Sequence, residues 1–353
     1  MAAAIALRKK RFSVTVADGA KPPIDKACGE GLMPDTLASL QELGVALQGV
    51  TGFALRGVRF VAGDYEIDAN FPAGAGMGVR RPGLHKKMIE RAAALGVSFL
   101  WETPVMGVSP AGVLLSSGAV IPARWIIGAD GSTSRVRQWS GLDAYTHCDS
   151  RFAYRRHYKI TPWSDYSEVY WGQHTQVYIT PVAEREICVA VVTRNARQRI
   201  AAALQEFPLL LRRLQDAPPA STERGAVTSM HRLARVTHAN VALLGDASGT
   251  VDAITGEGLC LTFHQAAALA TSLEHNDLAM YQQAHRRLAR RPALMARMLL
   301  TLDRRPMLRR RVMRTFAGDP AIFQRFLAVH VGETSLGHKA ATGARFGWKF
   351  LAA

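Results

Sequence analysis

Asn240-Val-Ala-Leu-Leu-Gly-Asp-Ala-Ser-Gly-Thr-Val-Asp-Ala-Ile-Thr-Gly-Glu-Gly-Leu-Cys-Leu-Thr-Phe-His-Gln-Ala-Ala-Ala-Leu-Ala270 decides how the rest of this chain is read. Val241 to Leu244 is a short continuous apolar run, the pattern of a strand buried on both faces. Gly245-Asp246 ends it with a residue lacking a Cβ and then a carboxylate, so a ligand can approach there. Thr255-Gly256-Glu257-Gly258 opens an alanine-rich run from Leu259 to Leu273 whose composition favours helix. A strand therefore delivers an acid, and a helix N-terminus follows it.

That pairing suits a flavin nucleotide. A carboxylate at a strand's carboxyl end accepts hydrogen bonds from ribityl hydroxyls, and glycines let backbone N–H groups come close to the cofactor. The helix N-terminus stabilises negative charge on a reduced isoalloxazine ring. The plainer alternative is an ordinary strand-to-helix turn with a capping threonine. Gly245-Asp246-Ala247-Ser248-Gly249 followed by Thr255-Gly256-Glu257-Gly258 resembles the second flavin motif of the geranylgeranyl reductase-like branch of the para-hydroxybenzoate-hydroxylase-type FAD oxidoreductases.

Working outward, Phe12 to Ala17 reads as a strand after a helical Ala2 to Lys10, and Asp18 closes it. In a Rossmann-type unit an acid there binds ribose hydroxyls; alone, Asp18-Gly19 is a turn signal. The resemblance implies a first strand and a Gly-x-Gly-x-x-Gly loop ahead of that helix, and this chain begins after both. A start codon assigned too late is the expected reason, a truncated form the other. Without the loop's amides, which cradle the pyrophosphate, FAD is expected to be held less tightly.

Arg124-Trp-Ile-Ile-Gly-Ala-Asp130-Gly131-Ser132 is a buried strand ending in Asp-Gly, with Ser134, Arg135 and Arg137 on a short helix beyond. It resembles the family's middle motif, which implies that Asp130 and Gly131 serve FAD and the incoming nicotinamide. Cys28-Gly29-Glu30-Gly31 leads into a helix from about Asp35 to Leu43. The reductase branch carries a similar Cys-Gly loop beside the flavin, so Cys28 is the candidate catalytic residue; an inert buried thiol is the alternative. At the start of a helix after Val79, Arg81 resembles the flavin-contacting position, with Arg80 as the alternative, and His85 reads as a helix-surface histidine.

The expected fold is α/β: a Rossmann-like FAD-binding domain (1-50, 78-145 and 236-275) interrupted by a mixed β-sheet substrate domain (51-77 and 146-235), with a C-terminal helical region (276-353). In the substrate domain, 152 to 160, 168 to 171, 176 to 180 and 187 to 192 alternate as strands with one face towards a pocket, and 197 to 214 reads as helix. Tyr154, Tyr158, Trp163, Tyr170, Trp171 and Tyr178 either line an apolar substrate cavity or fill a core. Towards the C-terminus, Pro292, Pro306 and Pro320 are expected to interrupt helices whose apolar stripes are Leu294, Met298, Leu302 and Leu308, Val312, Phe316.

Composition narrows the partners. A chain of 353 residues, 48% hydrophobic, buries a sizeable core. Cysteines 28, 148, 188 and 260 show neither zinc spacing nor a disulfide framework, so no metal is expected and a reducing cytoplasm fits. The net charge of +16 is concentrated, with eleven arginines against one aspartate between Arg286 and Arg314. On an amphipathic helix this suits an anionic membrane surface, a solvated core helix being the alternative; nucleic acid is not expected, for want of a binding module. The resemblance implies NAD(P)H as electron donor and reduction of a carbon–carbon double bond in an isoprenoid or other lipophilic substrate. A monooxygenase on the same fold is the runner-up, and a flavin-free remnant the reading from another class. A halogenase is disfavoured because its Trp-x-Trp-x-Ile-Pro signature is not present.

Overall fold

A computed structural model describes residues 1–147, 150–228 and 230–332. Cys148 and the last part of the C-terminal region lie outside the described residues. The apolar runs of one half form short parallel strands: Thr15–Ala17 pairs with Ser98–Leu100, and Ile126–Gly128 with Val241–Leu243. Helices α1 (Ala2–Lys9), α2 (Pro34–Leu43), α3 (Arg81–Ala94) and α7 (Gly258–Glu274) close over them. Ile5, Leu40, Leu84, Leu243 and Leu269 meet in this first apolar layer. The short helix α4 (Arg135–Trp139) follows Asp130, capped at its start by the Ser134 hydroxyl.

The other half is a seven-stranded sheet in the order Arg224–Thr228, Arg151–Tyr158, Glu186–Thr193, Thr175–Ala183, Tyr166–Trp171, Gly57–Ala62, Tyr65–Asn70. All pairings are antiparallel except that between Tyr166–Trp171 and Gly57–Ala62. Side-chain alternation gives the strand Glu186–Thr193 two environments. Val189 and Val191 pack against Ile200 and Leu210, while Ala190 and Val192 face a cavity. A small sheet of Gly31–Leu32, Gly76–Val79 and Gly52–Leu55 joins the halves. The join is close: a Cβ on Gly78 would lie 1.7 Å from the Pro181 carbonyl oxygen, so only glycine fits.

Three expectations need correction. Residues 197 to 214 are not one helix but α5 (Ile200–Ala203), a 3₁₀ turn, and α6 (Pro208–Leu214), because Pro208 can donate no backbone bond and so starts a new helix. Pro292 does not interrupt its helix; it is buried inside a continuous α8 (Leu278–Arg304). Pro306 and Pro320 do mark breaks, opening α9 (Pro306–Gly318) and α10 (Pro320–His330) at the position where a missing N–H is harmless. The inward face of α8 is Met295, Ala296 and Leu299, so Leu294 and Met298 point to solvent, whereas Val312 and Phe316 of α9 are buried as the spacing predicts. Helices α8 to α10 pack Met295, Leu299, Phe316 and Phe323 against Phe60, Ile67 and Trp171 of the sheet. Among the described residues no helix is long and apolar enough to cross a membrane.

Candidate functional site

Both halves and the C-terminal helices border a single cavity of about 1420 Å³. The unpaired edges of Thr15–Ala17 and Ile126–Gly128 flank one part of it. Nearby are Asp18, Arg81, Asp130, Gly131, Gly245, Asp246, Thr255, Gly256 and Gly258, residues far apart in sequence that the strand ends and loops deliver to one place. The other part is apolar, with Phe60, Val169, Leu299, Phe323 and Leu327 on its wall.

Asp246 follows the strand Val241–Leu243 on a 3₁₀ turn entered through Gly245 at φ +59. Its carboxyl is open to the cavity but recessed from bulk water, and this desolvation raises it above the usual carboxylate range, with Lys26 and Arg81 pulling the other way. No described side chain hydrogen-bonds it. Asp18 ends the strand Thr15–Ala17 and lines the cavity, and one of its carboxylate oxygens accepts the Ala20 N–H at 2.8 Å, closing the turn. Asp130 is more committed: it accepts from the Ser134 hydroxyl and from the backbone N–H groups of Arg135 and Val136, capping α4. Gly131 beside it adopts φ +87.

Of the two arginines weighed, Arg81 lines the cavity, while Arg80 lies 3.4 Å from Glu186 in an ion pair. His85 also lines the cavity rather than the outer helix surface. Its Nδ1 accepts the Ile24 N–H at 2.9 Å, and burial holds its pKa down to about 4, so the ring is neutral. Cys28 borders the cavity and takes the Glu30 N–H on Sγ at 3.4 Å; burial raises its thiol. Glu257 departs from its expected role. Its carboxylate turns away from the cavity to Arg291 at 3.0 Å and His330 at 3.7 Å, because a buried acid needs a cation, so it fixes the turn instead of touching a ligand. His330 completes that support through the Thr255 carbonyl at 2.9 Å.

Among the six aromatics, Tyr154 and Tyr178 reach the cavity, while Tyr158, Trp163, Tyr170 and Trp171 sit in apolar layers. Several participants escaped the sequence reading. Glu30, buried at φ +61 between two glycines, accepts the Arg81 N–H at 2.9 Å and pairs with His157. His157 turns Nε2 to Glu30, while its Nδ1 lies 2.8 Å from the Ser221 hydroxyl and 3.3 Å from Arg155. The glycines around Glu30 were the available signal; nothing local marked His157. Glu30, His157 and Cys188 gather three donor atoms within 4.8 Å, but the direct Glu30–His157 bond and Arg155 at 3.9 Å already satisfy the acid. Arg137 ties the middle motif to the Gly-Asp loop, donating to the Ser132 carbonyl at 3.0 Å and the Ala247 carbonyl at 3.4 Å.

The lining fits a flavin nucleotide on its own geometry. A Cβ on Gly258 or Gly29 would meet nothing within 4 Å, so both glycines leave open space in the cavity wall. Gly258 is also the first residue of α7, whose free N–H groups point where negative charge is favoured. Fold and site together define an α/β flavin-nucleotide-binding protein. The chain belongs to the family described as FAD binding domain, whose profile matches residues 1–288, within the para-hydroxybenzoate-hydroxylase-type FAD-dependent oxidoreductases. A menaquinone reductase of Mycobacterium tuberculosis is 26% identical over 308 residues, covering 79% of this chain and 74% of the relative. The menaquinone reductase of Mycolicibacterium smegmatis is 35% identical over 146 residues, or 38% of this chain and 35% of the relative. Among solved structures, a flavoprotein/dehydrogenase from Cytophaga hutchinsonii superposes with a TM-score of 0.81 at 20% identity, covering 94% of this chain and 90% of the other. 2-Methyl-3-hydroxypyridine-5-carboxylic acid oxygenase gives 0.72 at 21%, covering 86% and 89%. A flavin-dependent brominase gives 0.71 at 17%, covering 99% and 91%. These structural likenesses establish the fold.

Proposed function

We propose that this protein is an FAD-dependent reductase that saturates a carbon–carbon double bond in an isoprenoid or other lipophilic substrate, with NAD(P)H as electron donor. The observation that carries this reading is the continuity of the cavity. One space runs from the polar lining around Asp246 and Arg81 to an apolar end walled by Phe60, Leu299, Phe323 and Leu327. The Cys28 loop bridges the two parts, since the backbone of Gly31 lies against Thr180 and Ser167 of the substrate sheet. Similarity to menaquinone reductases over most of the chain supports a lipophilic substrate.

FAD, when bound, supplies the two-electron chemistry; what remains falls to this chain. Asp246 accepts hydrogen bonds from hydroxyls of the cofactor, and Arg81 and the start of α7 offset negative charge. Thr255, Gly256 and Gly258 shape a turn that would help hold the cofactor when it is bound, with Glu257, Arg291 and His330 holding that turn from behind. The apolar walls exclude water and orient an extended hydrocarbon. Cys28, kept as a neutral thiol by burial, closes the substrate side without placing a charge against a greasy chain.

The test is anaerobic. Enzyme carrying reduced flavin, mixed with an isoprenoid alkene that has no quinone ring to take the electrons itself, such as a polyprenol, is expected to reoxidise and release a product two hydrogens heavier, with one double bond saturated. Flavin that stays reduced across a panel of lipophilic alkenes until O₂ enters, with labelled oxygen then found in product, replaces the reductase with a monooxygenase.

A further inference from the structure

The outer face of α8 and the elbow into α9 carry a surface that the cavity does not use. Arg287, Arg290 and Arg297 recur along the exposed side of α8, continued by Arg305 and Arg310. None of these five has an ion-pair partner among the described residues. The single acid of the region, Asp303, is buried and paired with Arg194. Between the arginines stand exposed apolar side chains: Leu294 is 61% exposed, Met298 44% and Met307, at the elbow, 88%. From Arg287 to Arg305 the stripe extends roughly 27 Å at helical rise.

We propose that this face docks on an anionic lipid surface, the arginines meeting headgroups while Leu294, Met298 and Met307 enter the acyl boundary. Charge complementarity argues for anionic lipid, and the interleaved apolar side chains argue against nucleic acid, which offers arginine a phosphate but gives an exposed Leu or Met no apolar layer to enter. The placement suits supply of a lipophilic molecule, because Leu299 on the opposite face of the same helix walls the cavity's apolar end. Docking stands independently of the proposed reaction; only the supply role rests on it.

Vesicle co-sedimentation of the full chain tests docking alone. Binding is expected to phosphatidylcholine vesicles containing one third phosphatidylglycerol, to fall as salt rises, and to be absent with phosphatidylcholine alone. Each arginine near an anionic surface is worth roughly fivefold, so replacing Arg290, Arg297 and Arg305 by Gln should weaken binding on the order of a hundredfold. Equal charge removal at Arg185, Arg197 and Arg212, exposed elsewhere, should change it less than about tenfold. Leu294→Ser with Met298→Ser should weaken binding while leaving its salt dependence intact. Equal binding to both vesicle types, no binding to either, or equal effects of the two arginine triples would overturn the proposal. So would displacement from vesicles by duplex DNA at lower concentration than by free phosphatidylglycerol micelles.

Discussion

Gly258→Ala separates a cofactor cradle from a merely glycine-rich turn. Gly258 opens α7, and a Cβ built there meets nothing within 4 Å, so the fold offers no resistance to alanine. Alanine should help the helix, by at most about 1 kcal/mol and less at its first turn. A flat ring resting against that glycine would meet the new methyl group, and forcing an extra carbon into a packed contact costs about 1–3 kcal/mol. The expected result is an unchanged or slightly raised melting temperature without cofactor, and an FAD dissociation constant increased roughly five- to 150-fold. Calorimetry of the cofactor-free protein and fluorescence titration with FAD give both numbers. Gly245→Ala serves as contrast: its φ of +59 and the Thr262 hydroxyl 3.3 Å from the new Cβ should lower stability directly. If Gly258→Ala folds normally and binds FAD as tightly as the parent, the open space beside Gly258 is not the cofactor's and the placement of the ring is wrong.

Asp246→Ala should weaken FAD binding about ten- to a hundredfold through loss of a charge-assisted hydrogen bond, whereas Asp165→Ala, which breaks an exposed pair with Arg56, should leave titrations unchanged. Because burial raises the Asp246 carboxyl and the ligand's hydroxyls favour its ionised form, parental affinity should fall as pH drops through that raised value, and Asp246→Asn should flatten the profile. His285, 2.8 Å from the Ser248 hydroxyl behind the Gly-Asp loop, is held down to about 4 by burial. Its neutral ring's contribution is therefore complete above about pH 6.5 and lost as pH falls towards 4, so His285→Gln should narrow the melting-temperature gap between pH 7 and pH 5. Arg291→Ala leaves the buried Glu257 without its nearest cation and should destabilise the protein by about 3 kcal/mol in urea titration, with Glu257→Gln in the same background recovering part of the loss.

The residues that carried the sequence reading share one property: their signal is local. Val241 to Leu244, Gly245-Asp246 and the alanine-rich run after Gly258 announce strand, turn and helix within thirty positions, and the structure forms them as Val241–Leu243, Gly245–Ser248 and Gly258–Glu274. The four strands expected between 152 and 192 likewise form within two to three residues of their expected ends, since alternation is a property of the segment itself. What escaped depends on partners remote in sequence. Nothing around Glu257 says that its charge is claimed by Arg291 and His330, or around Glu30 that His157 lies opposite. Leu294 and Met298 misled for a related reason: their spacing fits an inward stripe as well as the true one one residue further on, and only the sheet beneath α8 selects Met295 and Leu299.

The same helix therefore does three things at once. Its inner face walls the apolar end of the cavity at Leu299, its Arg291 pairs with the acid of the Thr255–Gly258 turn, and its outer face bears exposed arginines. Packing at this density leaves α8 little freedom to move without disturbing the turn beside Gly256 and Gly258. The apolar wall at Leu299 and the Thr255–Gly258 turn are thereby held relative to each other by one helix. That arrangement also accounts for the glutamate in Thr-Gly-Glu-Gly. Its side chain does not line the cavity, and its buried carboxylate anchors the Thr255–Gly258 turn to α8 through Arg291.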